Sequence, residues 1–516
     1  MGLYKKKILL IQPEAKEAAL NFHGILKVTG RRALRAPLSL ATIAGLTPGN
    51  YEVRILDESV REIDFDIKCD VVGLTGFSCH VNRMIEIAKE FRKKGRIVVA
   101  GGVGCNVHCE LCRPYFDVIF FGECEYVWPQ FLCDYENGHY QDSYHGGKDI
   151  DLSDSPIPRW DLLKIEKYTI LSIQTSRGCP YDCEFCDIVA IFGRRIRVKS
   201  IEQVMLEVKQ IGDFGRREIF FSDDNFVMNK KHTKSLLEEL IKFNKNLKHP
   251  IKYSTQVTID IAVDEELLDM MRDANFSAVF IGIETPNKES LIETNKAHNL
   301  KMDLIEAVNR IQSRGIFIMS GGMIGFDHDD KNIFNLFDNF LTKAGLPIPV
   351  AGLMVARKGT KLWNRLEQEG RLLKNVSQDD FGRVNYHPKL MSKEQLEYGF
   401  MQFQVTCELN YQKFIKRFQN FIDQVNIKNI NQQRLIQTTI YKIVPGIRII
   451  LYFLFNKDYK NRQLFIEMVK IAKRKNKLFI PWAFEMIVFF ISRKEFVESS
   501  DAYNAYLANL ESTHAE

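Results

Sequence analysis

Three cysteines carry the chemistry that stands out first. Cys179, Cys183 and Cys186 lie in Thr175-Ser-Arg-Gly-Cys-Pro-Tyr-Asp-Cys-Glu-Phe-Cys-Asp187 at spacing C-x3-C-x2-C, with Phe185 just before the last. Three thiolates on one tight loop can hold three irons of a [4Fe–4S] cube, whose usual complement is four cysteines. The fourth iron is then open to chelate a small molecule. A zinc knuckle or inert buried thiols would be the plain alternative, although zinc sites more often come as paired C-x2-4-C units. A second C-x3-C-x2-C, Cys105, Cys109 and Cys112, has the same spacing but Leu111 in place of the aromatic. It is read either as an auxiliary metal site or as thiols in a surface loop.

The elements that must position these loops follow from periodicity. Residues 1 to 136 alternate short apolar runs with helical stretches. The runs are Ile8–Gln12, Val53–Asp57, Val71–Thr75, Ile97–Ala100 and Val118–Phe121. Leu38–Leu46 and Val81–Lys94 have helix periodicity. This alternation predicts a doubly wound, Rossmann-like parallel sheet that binds ligands at the carboxyl ends of its strands. Gly101 and Gly102 follow the fourth run, and Gly122 and Glu123 the fifth, so backbone could approach a large flat ligand there; a packing turn would explain them equally. Residues 137–165, rich in Gly, Pro, Ser and Asp, read as a linker.

From 166 to 385 the run before the cysteines and five more, near 218, 252, 278, 317 and 350, make six β/α units, a partial (β/α)6 barrel. Polar or small residues sit at the expected carboxyl ends, where such barrels do chemistry: Asp223, Asp224, Glu284, Gly321, Gly322 and Gly325. From 386 to 516 the pattern is helical. Two apolar stretches, Ile440–Phe455 and Leu478–Ile491, and the basic Lys470, Lys473, Arg474, Lys475 and Lys477 suit either a membrane interface or pocket wall, or an ordinary core helix with a solvated neighbour.

Composition narrows the class. With 516 residues, 45% hydrophobic and 26% charged, the chain has globular proportions; 71 basic and 65 acidic side chains leave a net charge of +6, too mild to argue for nucleic acid. All of the eleven cysteines but Cys407 precede residue 187. An odd number without an export signal predicts a reducing cytoplasmic setting and metal rather than disulfides. Peripheral contact at the inner membrane face is the further expectation for the helical tail.

The cysteine motif, with Phe220-Phe-Ser-Asp-Asp-Asn-Phe226 and Gly282-Ile-Glu-Thr-Pro286, resembles the radical S-adenosylmethionine (SAM) enzymes. Within them it is similar to the cobalamin-binding group that includes hopanoid C-2 methylases with a helical C-terminal region. The resemblance implies that the open iron binds SAM, that Asp223 and Asp224 meet its amino group, that Glu284 meets its ribose or methionine part, and that Gly321, Gly322 and Gly325 lie against its adenosine. It also implies cobalamin near Ser78, Gly101, Gly102, Gly122 and Glu123. The Asp-x-His-x-x-Gly loop that offers cobalt a histidine elsewhere is missing; the chain reads Gln12-Pro-Glu-Ala-Lys16. The implied activity is methyl transfer to an unactivated carbon of a small-molecule or lipid substrate, with a one-electron donor such as flavodoxin or ferredoxin. Radical cyclisation or rearrangement without methyl transfer, and a non-catalytic iron–sulfur protein, remain the other readings.

Overall fold

The computed structural model describes residues 5–14, 26, 30–378, 380–429, 450–453 and 458–514. Two parallel sheets organise it. The first takes β1 (Lys7–Gln12), β3 (Glu52–Asp57), β4 (Val71–Thr75), β5 (Ile97–Gly101), β6 (Val118–Phe121) and β7 (Ser143–His145) in the order β3-β1-β4-β5-β6-β7. Ile8, Leu10, Val71 and Val99 fill one side, and Leu9, Ile11, Val72 and Val98 the other. Burial on both faces is why these strands read as continuous apolar runs. The order reverses between β1 and β4, the place where such sheets open a ligand crevice.

The second sheet runs β15-β14-β13-β12-β11-β8-β2. Its strands are β2 (Ala33–Arg35), β8 (Tyr168–Ile173), β11 (Glu218–Phe221), β12 (Lys252–Val257), β13 (Phe276–Glu284), β14 (Phe317–Ile324) and β15 (Pro349–Leu353). All pairings are parallel, and β2 and β15 are the edge strands among the described residues. The expected six β/α units are there, in chain order, as a curled half-barrel.

Two strands of these two sheets escape the sequence reading. β2, an Ala-Leu-Arg triplet, joins the half-barrel although it belongs to the first 136 residues. β7, Ser-Tyr-His, lies inside the stretch read as a linker and extends the first sheet. Both are three residues long and lack the apolar alternation that marks a strand.

Helix starts are set by side-chain caps. Ser200 and Gln203 form a capping box for Ile201–Asp213, Asp264 caps Glu265–Ala274, and Thr360 caps Lys361–Gln368. The C-terminal helices close the β15 side. In Ile480–Glu498, Trp482, Ala483, Met486, Ile487 and Phe490 pack with Phe414, Phe418 and Phe421. Arg493 reaches the Ala351 carbonyl of β15 at 2.9 Å. The apolar stretch Leu478–Ile491 is therefore a core helix, while Lys470, Lys473, Arg474, Lys475 and Lys477 are exposed. Most of Ile440–Phe455 lies outside the described residues. Among the described residues no helix is long and apolar enough to cross a membrane.

Candidate active site at the carboxyl ends of both sheets

The cysteine loop leaves β8, pairs briefly as β9 (Ser176–Arg177) with β10 (Arg197–Val198), and carries Cys179, Cys183 and Cys186 between them. Gly178 has φ +95°, and a Cβ there would fall 2.3 Å from the Arg195 carbonyl oxygen; glycine is required. All three cysteines are half-buried. Burial pushes their thiols up, Cys186 to about 12, and each of Cys183 and Cys186 also feels its neighbouring thiols.

Side chains from every direction hold this loop. Asp223, at the end of β11, is fully buried; it accepts from Thr175 N at 2.8 Å, from the Thr175 and Ser176 hydroxyls at 3.0 Å, and from Ser176 N. Burial raises its carboxyl to about 7. Both its oxygens have donors within the protein, and no surface is left. Asp224 differs. It is half-buried and accepts from Gly178 N at 2.8 Å through one oxygen; burial raises it to about 6. Tyr181 donates to Asp260 at 2.8 Å and stacks on His298 at 3.7 Å. Arg365 grips Glu184 through two nitrogens, at 2.5 and 3.0 Å, and Lys361 pairs with Asp182.

Glu284 ends β13 with φ +64°, next to a register shift between Gly282 and Glu284. A bulge with a left-handed glutamate stores strain of the kind found where a side chain must be aimed. The carboxylate pairs with the buried ammonium of Lys296. Burial disfavours that ammonium, but Glu284, with Cys183 and Cys186 nearby, outweighs it and holds it above the usual lysine range. Lys296 escaped the sequence reading, since nothing in Thr294-Asn-Lys-Ala-His-Asn299 marks it. Gly282 leaves room for the pair: a Cβ there would meet Glu284 Oε1 at 2.3 Å and Lys296 Nζ at 2.9 Å.

The glycines of β14 are explained by the protein itself. A Cβ at Gly322 would meet Phe337 at 2.4 Å, one at Gly325 the Tyr386 hydroxyl at 2.5 Å, and one at Gly321 the Phe280 ring at 2.7 Å. Gly322 and Gly325 thus make close approaches between elements, whatever else their backbone borders. Only Gly321 shares its face with Phe280 and Gly282.

The first sheet presents its carboxyl edge to the same loop. Glu123, after β6, is buried and accepts from Arg177 at 3.0 Å and from Arg197 at 2.7 and 2.5 Å, while Arg177 also reaches Glu125 at 2.7 Å. The desolvation of Arg177 is outweighed by the two carboxylates, which raise it. Glu123 is therefore a tie between the two sheets. Farther along, Glu110 faces Lys358, after β15, at 3.7 Å. Gly102 (φ +90°) would put a Cβ 2.5 Å from the Thr75 hydroxyl, and Gly122 (φ +73°) would put one 2.6 Å from the Gly146 carbonyl; both are close backbone approaches. Gly101 meets only ordinary contacts, and Ser78 is half-buried in the turn after β4 beside the exposed Phe77. Cys105 and Cys112 are fully buried in the apolar core with their thiols in contact, and Cys109 is half-buried.

Among the described residues no three His, Cys, Asp or Glu side chains converge closely enough to hold a single metal ion. A cube asks for something else: thiolates at separate corners, from one half-buried loop. Cys179, Cys183 and Cys186 meet that requirement, with a buried cation beside them to favour the thiolate form.

Residues 173–339 match the radical SAM superfamily, and 360–504 match a domain of unknown function. The chain is 35% identical over 372 residues to an uncharacterised methyltransferase of Synechocystis sp., spanning 71% of this chain and 69% of the relative. It is 31% identical over 380 residues to the hopanoid C-2 methylase of Rhodopseudomonas palustris, 72% of each. The chain belongs to the radical SAM superfamily. Radical SAM enzymes use a [4Fe–4S] cluster and SAM, and the three-cysteine loop is where this one would hold them. Two solved structures share the fold. TsrM from Kitasatospora setae, with cobalamin and a [4Fe–4S] cluster bound, has a TM-score of 0.56 at 17% identity, over 77% of this chain and 82% of that one. The cobalamin-dependent enzyme OxsB, with aqua-cobalamin and SAM bound, has a TM-score of 0.62 at 15% identity, over 98% and 84%.

Proposed function

We propose that this radical SAM enzyme is a cobalamin-dependent methyltransferase acting on an unactivated carbon of a hydrophobic, lipid-like small molecule, supplied with electrons by a one-electron donor such as flavodoxin or ferredoxin. The observation that carries the reading is the Glu123–Arg177–Glu125–Arg197 network. It fixes the carboxyl edge of the first sheet two residues from Cys179, so ligands of the two sheets would share one space. Relatives named as methyltransferases support it.

In this reading the cluster with SAM supplies a carbon-centred radical, and cobalamin a methyl group. The chain's own residues bind and orient. Cys179, Cys183 and Cys186 hold the cluster. Asp224 keeps one oxygen on Gly178 N and turns the other to the SAM ammonium. Gly321 leaves the half-barrel wall low beside Glu284 and Lys296. Ser78 and Gly101, at the carboxyl ends of β4 and β5, border the cobalamin crevice. After β1 the chain reads Gln12-Pro13-Glu14-Ala15-Lys16 in place of the Asp-x-His-x-x-Gly motif.

The test is anaerobic reconstitution with iron, sulfide and cobalamin, followed by reductant, SAM labelled in its methyl group, and a lipid extract. Label in a lipid product is expected. Deoxyadenosine without labelled lipid would replace methyl transfer by a rearrangement chemistry.

A further inference from the structure

Arg35 is the one side chain of β2 that faces the interior of the half-barrel with charge. Its strand aligns it with Ile170 of β8. Two residues on, Ser172 aligns with Phe220 of β11, and Phe220 with Ser254 of β12. Leu171, Ile219 and Phe221, the alternate residues, belong to the core under the helices. Ile170, Ser172, Phe220 and Ser254 therefore face the other way, into the curl. The Arg35 guanidinium reaches across β8 and lies over the Phe220 ring, 4.0 Å from its centroid.

Among the described residues no carboxylate or carbonyl accepts a hydrogen bond from Arg35. The more buried arginines nearby are paired: Arg216 donates to the Tyr168 and Thr169 carbonyls at 2.6 and 2.5 Å, and Arg177, Arg197 and Arg493 have carboxylate partners. Arg35 is nonetheless exposed, while desolvation holds its proton affinity below the usual arginine range. Its place beside Phe220 on the inner face of the curled sheet sets it in the concavity of the half-barrel. A guanidinium carries five donors in a rigid fork suited to carboxylate or phosphate. Stacking on Phe220 fixes its plane and leaves those edges free.

We propose that Arg35 and Phe220 form an anion-recognition point inside the half-barrel, and that the substrate is an amphiphile whose carboxylate or phosphate docks there. The inference rests on the methyltransferase reading only for calling the ligand a substrate. An apolar body would extend past Phe220 toward Phe280 and the cysteine loop, with the anionic end held away from the reacting carbon.

The test uses the anaerobically reconstituted full chain and calorimetric titration with dodecanoate, dodecyl phosphate and dodecanol. Wild type is expected to bind at least one of the two anions ten or more times as tightly as dodecanol. The anion bound better tells carboxylate from phosphate. In Arg35→Gln that preference should vanish while dodecanol binding stays, which also reports that the variant is folded. Arg35→Lys should keep only part of the preference, because a point charge lacks the fork. Equal binding of dodecanol and both anions by wild type, or an anion preference intact in Arg35→Gln, overturns the assignment. Binding is read without turnover, so absence of methyl transfer would sink the proposed function and leave this inference standing.

Discussion

Asp223 and Lys296 show how single residues set up the cysteine loop. Asp223→Ala would strip four donors of their acceptor inside the protein, a loss of about 1–3 kcal/mol for each group left unsatisfied; unfolding midpoint and iron loading should both fall. Asp223→Asn can keep the bonds, its amide donating to the Thr175 hydroxyl, and removes only the titration. Since burial lifts the Asp223 carboxyl to about 7 from 3.8, the folded protein holds this proton more tightly than the unfolded chain. Its contribution to stability is full below about pH 4 and is lost as pH rises through about 7. Denaturant titrations across that window should show a shallower decline in Asp223→Asn than in wild type. Lys296→Met would leave the Glu284 carboxylate buried and unpaired, a cost of roughly 3–5 kcal/mol. Adding Glu284→Gln should restore much of it, and a double-mutant cycle that found the two changes additive would deny the coupling. Cys183→Ala should lose cluster iron and SAM cleavage together, and cleavage that survived the change would remove Cys183 from the site.

Between elements, glycine contacts decide how closely the sheets and helices meet. A Cβ on Gly146 would sit 1.7 Å from the Glu123 carbonyl oxygen. Gly146→Ala must therefore push the end of β7 away from the β6 loop that carries the Glu123 tie. The expected signature is a lower thermal midpoint together with faster hydrogen exchange at Ile119 and Phe121. Gly322→Ala forces the Phe337 ring and its helix, Ile333–Lys343, outward; overpacking of this kind costs about 1–3 kcal/mol.

At the scale of the molecule, the half-barrel depends on other parts of the chain. β2 lies on β8, and the C-terminal helices pack across the other strands, with Arg493 on Ala351 of β15, Phe421 against Phe317 of β14 and Glu485 near Lys252 of β12. Arg177→Gln should loosen this assembly without melting either sheet. It leaves Glu123 with Arg197 alone and Glu125 with no cation. Limited proteolysis between 146 and 160 is expected to quicken while the helix content of the variant stays at the wild-type level; unchanged proteolysis would show that the tie does not govern docking.

Much of this was readable in the chain alone, and the reason is local. The strand runs of both sheets, the cysteine spacing and the β/α order are set by periodicity and by residues adjacent in sequence. The family resemblance rests on such adjacent residues too. The partners of Asp223, Glu123, Lys296 and Arg35 are set by packing between segments far apart in sequence. Asp223 and Glu123 stood where a ligand was expected, and folding ties them to Thr175, Ser176, Arg177 and Arg197. Lys296 and Arg35 carry no motif at all. A buried charge acquires its role from what the tertiary structure sets within about 4 Å of it, and no sequence pattern encodes that distance.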